Sequence, residues 1–129
     1  MLDYFKLYLS DTWLLNSLLE VSMSDLLFDK NFMYKGVIAE NYVANEFIRN
    51  NISLYYWDSG NKAEIDFLIS SKDGIIPIEV KANDNNQSKS LKLFMEKYKS
   101  IYGIRISLKN FGFEKNIKSV PLYATFCIK

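Results

Sequence analysis

Four side chains in this sequence, Glu40, Asp66, Glu79 and Lys81, have the types and spacing to do chemistry together. Asp66 lies in AEIDFLIS (63–70), and Glu79 and Lys81 lie in IIPIEVKA (75–82). The two runs are separated by Ser71-Lys72-Asp73-Gly74. Both alternate, as strands with two distinct faces do, and the tetrapeptide between them has the composition of a hairpin turn. If Ser70 pairs with Ile75, the same register sets Asp66 opposite Glu79; moving the turn centre by one residue sets Asp66 opposite Lys81. Side chains alternate with period two, so either register puts Asp66, Glu79 and Lys81 on one face. Two carboxylates facing each other across strands repel unless something positive lies between them. Lys81 can serve in part, and so can Mg²⁺ or Mn²⁺, which prefer carboxylate and carbonyl oxygens. Glu40, on or near the apolar stripe of its own helix, adds a third carboxylate that needs a partner. A plainer reading accounts for the same residues: the acids form ion pairs with lysines on a solvated sheet face.

What is missing narrows the chemistry. The chain has no histidine and a single cysteine, Cys127. That excludes an internal disulfide, a His/Cys zinc site built from this chain alone, and any nucleophile that relies on an imidazole base. Catalysis would have to run on carboxylates, lysines, tyrosines or a bound hard cation. Cys127 itself reads as a buried small hydrophobe. Charge is distributed unevenly along the chain. Residues 1–80 hold six basic against twelve acidic side chains, and residues 81–129 hold ten against three. Such asymmetry fits an acidic metal site beside a basic anion-binding surface, and fits complementary packing equally well.

The elements that must position these residues are legible in outline. With 129 residues, 49% of them apolar, the chain suits one domain. No apolar run reaches the ~18 residues of a membrane span. MLDYFKLYLSD lacks the basic start and cleavage site of a signal peptide. Residues 1–33 read as an N-terminal arm packed on the rest: an extended piece, a helix capped by Asp11 or Thr12, and a short helix or turn near Ser24. Residues 34–129 read as the main body. From Tyr34 to Asn50 the spacing is helical, with Val37, Asn41, Ala44 and Ile48 as a stripe and Glu40 and Phe47 beside it. SLYYW (53–57) reads as a strand, followed by a turn at Asp58-Ser59-Gly60-Asn61. In the hairpin, Ala63, Ile65, Phe67 and Ile69 form one face of the first strand. Pro77 counts against a fully paired central strand, because it has no N–H to donate. After a polar loop at 83–87, Ser88 to Ser100 reads as a helix with Leu91, Phe94, Met95 and Tyr98 inward and Ser88 as its cap. YGIRISL (102–108) reads as a strand, 109–119 as a basic loop, and VPLYATFCI (120–128) as either strand or buried helix. Tyr55, Tyr56 and Trp57 read as core rather than as base-stacking residues. Lys89, Lys92, Lys99, Lys109, Lys115 and Lys118 suit either phosphate contacts or a solvated surface.

Glu40 on a first helix, Asp66 in EIDF and the Glu79-Val80-Lys81 triplet in PIEVK resemble the motif set of PD-(D/E)XK, or restriction-endonuclease-like, nucleases. More narrowly, GVIAENYVANEF, YYWDSGNKAEIDFLI, IIPIEVKA, the late VPLY and the KLYLSD arm are similar to the C-terminal domain of prokaryotic AAA-type predicted ATPases. The resemblance implies an α/β fold with an α-β-β-β-α-β core, a mixed sheet flanked by helices, and a helical N-terminal arm. It implies Mg²⁺- or Mn²⁺-dependent hydrolysis of DNA phosphodiesters, as an endonuclease or exonuclease, in a prokaryotic cytoplasm. Asp66, Glu79 and the Val80 carbonyl would hold the metal, with Glu40 as a further ligand or holding a metal-bound water. Lys81 would position the attacking water and stabilise charge on phosphorus. The ATPases in question carry their motor upstream, and nothing here matches the GxxxxGK(S/T) phosphate loop, so no ATP site is expected in this chain. A non-catalytic accessory module that binds nucleic acid, a partner protein or its own ATPase domain is the alternative.

Overall fold

The computed structural model describes residues 5–28, 33–60, 62–83 and 87–129. Within these, strands β1 (Tyr55–Asp58), β2 (Glu64–Ser71), β3 (Gly74–Lys81), β4 (Gly103–Ser107), β5 (Gly112–Glu114) and β6 (Ile117–Pro121) form one mixed sheet in the order β1-β2-β3-β4-β6-β5. β1, β2 and β3 make an antiparallel meander, β3, β4 and β6 run parallel, and β5 lies antiparallel to β6 at the far edge. Parallel neighbours need a crossover connection, and helix α4 (Lys89–Tyr98) supplies it between β3 and β4. Helices α1 (Thr12–Leu18), α2 (Met23–Phe28) and α3 (Lys35–Arg49) precede the sheet, so α3, β1, β2, β3, α4 and β4 follow one another in the expected order.

Two apolar clusters hold the helices to the sheet. Val43, Ala44 and Phe47 of α3 pack on Phe67, Ile69, Ile76, Ile78, Ile104 and Ile106. Leu91 and Phe94 of α4 pack on Ile65 and Ile117, with Trp57 and Leu68 alongside. Each large side chain buried in this way stabilises the fold by about 1.5–3 kcal/mol. The buried stripe of α3 differs from the expected one. Val37 and Ile48 are 52% and 56% exposed, while Ala39, Val43 and Phe47 are buried. Asn41 and Ala44 of the expected stripe are buried, Asn41 beneath the N-terminal segment: Leu9 N–H donates to Asn41 Oδ1 (2.8 Å), and Asn41 Nδ2 donates to the Leu9 carbonyl (3.1 Å) and to Thr12 Oγ1 (3.2 Å).

The hairpin closes at Ser71 and Gly74, with Ser70 opposite Ile75 and Phe67 opposite Ile78. Gly74 takes φ +105°, where a side chain would be strained. Pro77 is accommodated because the pairing of β3 with β4 begins only at Ile78. The α1 cap is Asp11, whose carboxylate accepts from the N–H groups of Trp13 (2.8 Å) and Leu14 (3.4 Å). Ser88 stands at the N-cap position of α4 but makes no capping bond; its hydroxyl accepts from Arg105 instead. The supposed basic loop at 109–119 contains β5, an exposed edge strand, and most of β6, which is paired on both sides, with β4 and β5. Residues Leu122–Cys127 form a 3-10 helix that packs against α3, and Cys127 is exposed, not buried. Of the polar loop, residues 84–86 lie outside the described residues. No helix among the described residues is long and apolar enough to cross a membrane.

Candidate functional site

Asp66 owes its position to an irregularity in β2. Tyr55 pairs with Leu68 and Trp57 with Ile65, so Asp66 and Phe67 together oppose Tyr56 alone. Two residues against one is a β-bulge, which re-aims side chains and ends regular pairing. Its effect appears in the packing. Ile65 lies in the α4 cluster whereas Phe67 and Ile69 lie in the α3 cluster, so the simple alternation expected of 63–69 is broken at Asp66. The β2–β3 ladder follows the register in which Ser70 faces Ile75, but its last regular pair is Phe67 with Ile78, one short of Asp66 with Glu79. Past that pair, the Val80 N–H donates to Asp66 Oδ2 at 2.7 Å.

The Asp66 carboxylate belongs to a charge cluster that reaches back to the N-terminal segment. Lys6 Nζ lies 3.0 Å from Glu40 Oε1, 2.5 Å from Glu64 Oε1 and 3.7 Å from Asp66 Oδ1. Tyr8 donates its hydroxyl to the same Glu40 oxygen at 2.6 Å, and its ring rests on Phe67 with centroids 5.7 Å apart. Lys6 also stands over the ring of Tyr56, the residue opposite the bulge, at 5.6 Å. Glu40 and Asp66 are thereby drawn to one ammonium group. Lys6, Tyr8, Tyr56, Asp66 and Phe67 line a cleft of about 310 Å³. The larger cleft, about 740 Å³, is walled by aromatics including Trp57, Phe94 and Tyr98 and holds none of the four acid and lysine candidates.

Glu79 and Lys81 form the other part of the constellation. Lys81 Nζ pairs with Glu79 Oε1 at 3.2 Å. Glu79 is only 6% exposed, and its second oxygen, Oε2, is buried with no hydrogen-bonding partner among the described residues. Arg105 stands beside Glu79 in the parallel ladder and donates to Ser88 Oγ (3.3 Å) and Ser119 Oγ (3.0 Å).

These contacts shift three ionisation equilibria. Burial pushes the Asp66 carboxyl up, as do the charges of Glu40 and Glu79. The Val80 hydrogen bond and Lys6 pull it down, and the balance is a pKa of about 6 against an ordinary 3.8. Burial alone would lower the Lys6 pKa, but hydrogen bonds to Glu64 and Glu40 outweigh it, so Lys6 is held in its charged form. Burial and the bond to Glu40 raise the Tyr8 phenol, which stays a proton donor at neutral pH.

As they stand, no three acidic, histidine or cysteine side chains among the described residues are grouped to hold a metal ion. The donor set nonetheless suits a hard cation in kind: every candidate ligand is an oxygen, and Glu79 Oε2 is an acceptor lacking a donor among the described residues. Lys6, Tyr8, Glu64 and Arg105 were not singled out by sequence. Glu64 was detectable, since it shares the expected polar face of β2 with Asp66. Lys6 carried no local signal, being 34 residues from Glu40. Among the lysines considered for phosphate contacts, Lys118 sits over the Tyr102 ring at 3.7 Å and Lys115 lies 3.7 Å from Glu114.

A model of the family described as Domain of unknown function (DUF4143), a domain found in AAA-ATPase-associated proteins, matches residues 35–125. No curated protein and no solved structure matches the chain.

Proposed function

The chain belongs to the DUF4143 family, and we propose that it is a PD-(D/E)XK nuclease-like domain that hydrolyses DNA phosphodiesters with a divalent cation. The observation that carries this reading is the pairing of a shared cation position with an unmet acceptor. Glu40, Glu64 and Asp66 gather around a single positive group, and Glu79 keeps a buried oxygen without a donor among the described residues. The succession of α3, β1, β2, β3, α4 and β4 supports the same core.

In this reading Asp66, Glu79 and the Val80 carbonyl would hold Mg²⁺ or Mn²⁺, with Glu40 as a further ligand or binding a coordinated water. Within a strand, the N–H and C=O of one residue point to the same edge, so the Val80 carbonyl is directed toward the gap that its N–H bridges to Asp66. When bound, the cation would lower the pKa of water and offset charge on the phosphate oxygens. Lys81, held near the site by Glu79, positions the attacking water and stabilises the negative charge that grows on phosphorus. Occurrence of the domain in AAA-ATPase-associated proteins supports a setting in which a motor domain acts beside this one.

The ion pairs of Lys6 and Lys81 favour a second reading, in which the acids are neutralised internally and the domain is an accessory module for nucleic acid, a partner protein or an ATPase domain. Calorimetric titration of Mg²⁺ and Mn²⁺ into the wild type and Asp66→Ala separates the two. Heat that disappears with Asp66, followed by DNA cleavage lost in both Asp66→Ala and Lys81→Ala, is the result expected of a nuclease. Absence of metal binding, or cleavage that survives both substitutions, refutes it.

A further inference from the structure

We propose that Lys6 is the resident counter-ion of the carboxylate site, and that a divalent cation binds by exchange with it. Metal loading and release of the segment from Phe5 to Leu9 would then be one equilibrium. This rests on the proposed metal site and adds a regulatory element to it.

Three features point to exchange. The Lys6 ammonium lies among three carboxylates, two of them at 3.0 Å or less. A small divalent ion needs those same oxygens at about 2.0–2.1 Å, so it and the ammonium compete for them. One ammonium is shared by three carboxylates, and on the neighbouring strand Glu79, paired through Oε1 with Lys81, keeps Oε2 nine-tenths buried and without a donor among the described residues. At Glu40, Glu64 and Asp66 the negative charge therefore exceeds the single positive charge that the segment delivers. Finally, the segment has the attachment of a removable piece. Phe5 and Leu7 are exposed at 76% and 81%, and it lacks regular secondary structure. It is held by Lys6, by Tyr8 on Glu40 and Phe67, and by the paired hydrogen bonds between Leu9 and Asn41.

Exchange makes a prediction that simple electrostatics does not. Removing the Lys6 charge favours any nearby cation, whether or not the segment moves. Asn41→Ala changes no charge and removes the clamp on Leu9 together with the bond to Thr12 Oγ1, both of which tie down the N-terminal segment. If release and metal loading are coupled, weakening the clamp must tighten metal binding, because linkage between two equilibria is reciprocal.

The test uses the full chain and Mn²⁺ alone. Affinity is read by calorimetry and by the electron paramagnetic resonance signal of free Mn²⁺, in wild type, Lys6→Met and Asn41→Ala, with folding checked by circular dichroism. Both substitutions are expected to tighten binding, Asn41→Ala by roughly tenfold. In the wild type, Mn²⁺ is expected to accelerate hydrogen exchange at the Leu9 amide. Mn²⁺ binding that is unchanged or weaker in folded Asn41→Ala, with Leu9 still protected, overturns exchange while leaving the metal site standing. Absence of Mn²⁺ binding in all three proteins overturns the site and the exchange together. Should Asn41→Ala fail to fold, Asn41→Asp serves as a second weakened clamp, since it loses the Nδ2 donor to the Leu9 carbonyl. Its added charge is controlled by comparison with Asn45→Asp one turn along α3.

Discussion

Replacing Asp66 by asparagine should stabilise the metal-free protein, and should do so only above pH 4. The folded protein holds the Asp66 proton to a pKa of about 6, while the unfolded chain releases it near the ordinary 3.8. Below both values the group is protonated in either state and contributes no pH-dependent difference. Between them the unfolded chain has lost the proton and the folded chain has kept it. The folded state then binds more protons, and stability falls as pH rises. Above pH 6 both are ionised and the penalty is constant. A gap of roughly two pH units, at about 1.4 kcal/mol each, is worth about 3 kcal/mol. The side chain is 20% exposed, so solvent screening reduces this little. Asparagine cannot ionise but can still accept the Val80 N–H, which preserves the contact across the bulge. The assay is urea denaturation of wild type and Asp66→Asn in chelator at intervals from pH 3.5 to 8. Subtracting one stability profile from the other removes most of the contribution of other carboxylates. The expected difference curve is near zero at pH 3.5 and rises to about 3 kcal/mol in favour of Asp66→Asn by pH 7. A flat curve, or one favouring the wild type at pH 7, would show that Lys6 and Val80 fully compensate the buried charge.

Metal should nearly cancel that difference. Mn²⁺ at a hundredfold excess over its dissociation constant should stabilise the wild type at pH 7 by about 2.7 kcal/mol and leave Asp66→Asn nearly unchanged; equal stabilisation of both in thermal melts would place the ion elsewhere. Phe67→Ala should cost about 3–5 kcal/mol in denaturation experiments, since the ring is fully buried, meets Phe47 edge-on at 5.4 Å and supports Tyr8. A loss under 1 kcal/mol would mean that the α3 face of the sheet is loosely packed. Asp11→Ala should cost about 1 kcal/mol by leaving the Trp13 and Leu14 N–H groups without their cap, an effect that Asp11→Ser should largely restore.

What sequence could reveal depended on how local the determinant was. Ser71-Lys72-Asp73-Gly74 set the hairpin register, with Ser70 opposite Ile75, because turn chemistry acts over four residues. The bulge was not legible, because it depends on how β2 meets β1: the same alternating string AEIDFLIS is compatible with an unbroken strand until Tyr55 and Trp57 fix their partners. The counter-ion was hidden for the same reason. Lys6 meets Glu40 through chain folding across 34 residues, with no periodic pattern to announce it. Of the expected α3 stripe, Asn41 and Ala44 are buried, Asn41 by satisfying the Leu9 backbone, but Val37 and Ile48 near the two ends of the helix are exposed. β5 and the first residues of β6 were read as loop because Lys115 and Lys118 dominate a stretch whose strand character comes from its pairing in the sheet. Cys127 was expected inside on residue type, but the 3-10 helix turns it outward while Ala124 and Thr125 face the core.

The bulge also explains why a charged residue survives at position 66. In a regular β2, residues 65, 67 and 69 would all serve one apolar layer, and Asp66 would share the opposite face with Leu68. The extra residue lets Ile65 serve the α4 cluster and Phe67 the α3 cluster, so both layers stay filled while Asp66 is left without an apolar role. Its carboxylate then replaces a missing ladder partner for Val80 and meets Glu40 and Lys6. A small apolar residue at position 66 would relieve repulsion from Glu40 and Glu79, yet it would leave the Val80 N–H without its acceptor and Lys6 with one carboxylate fewer. The fold thus tolerates Asp66 at a cost in stability. Binding of a cation would offset that cost and hydrogen bonding alone does not, which makes the sign of the Asp66→Asn effect in the absence of metal the most direct measure of what the site is arranged to hold.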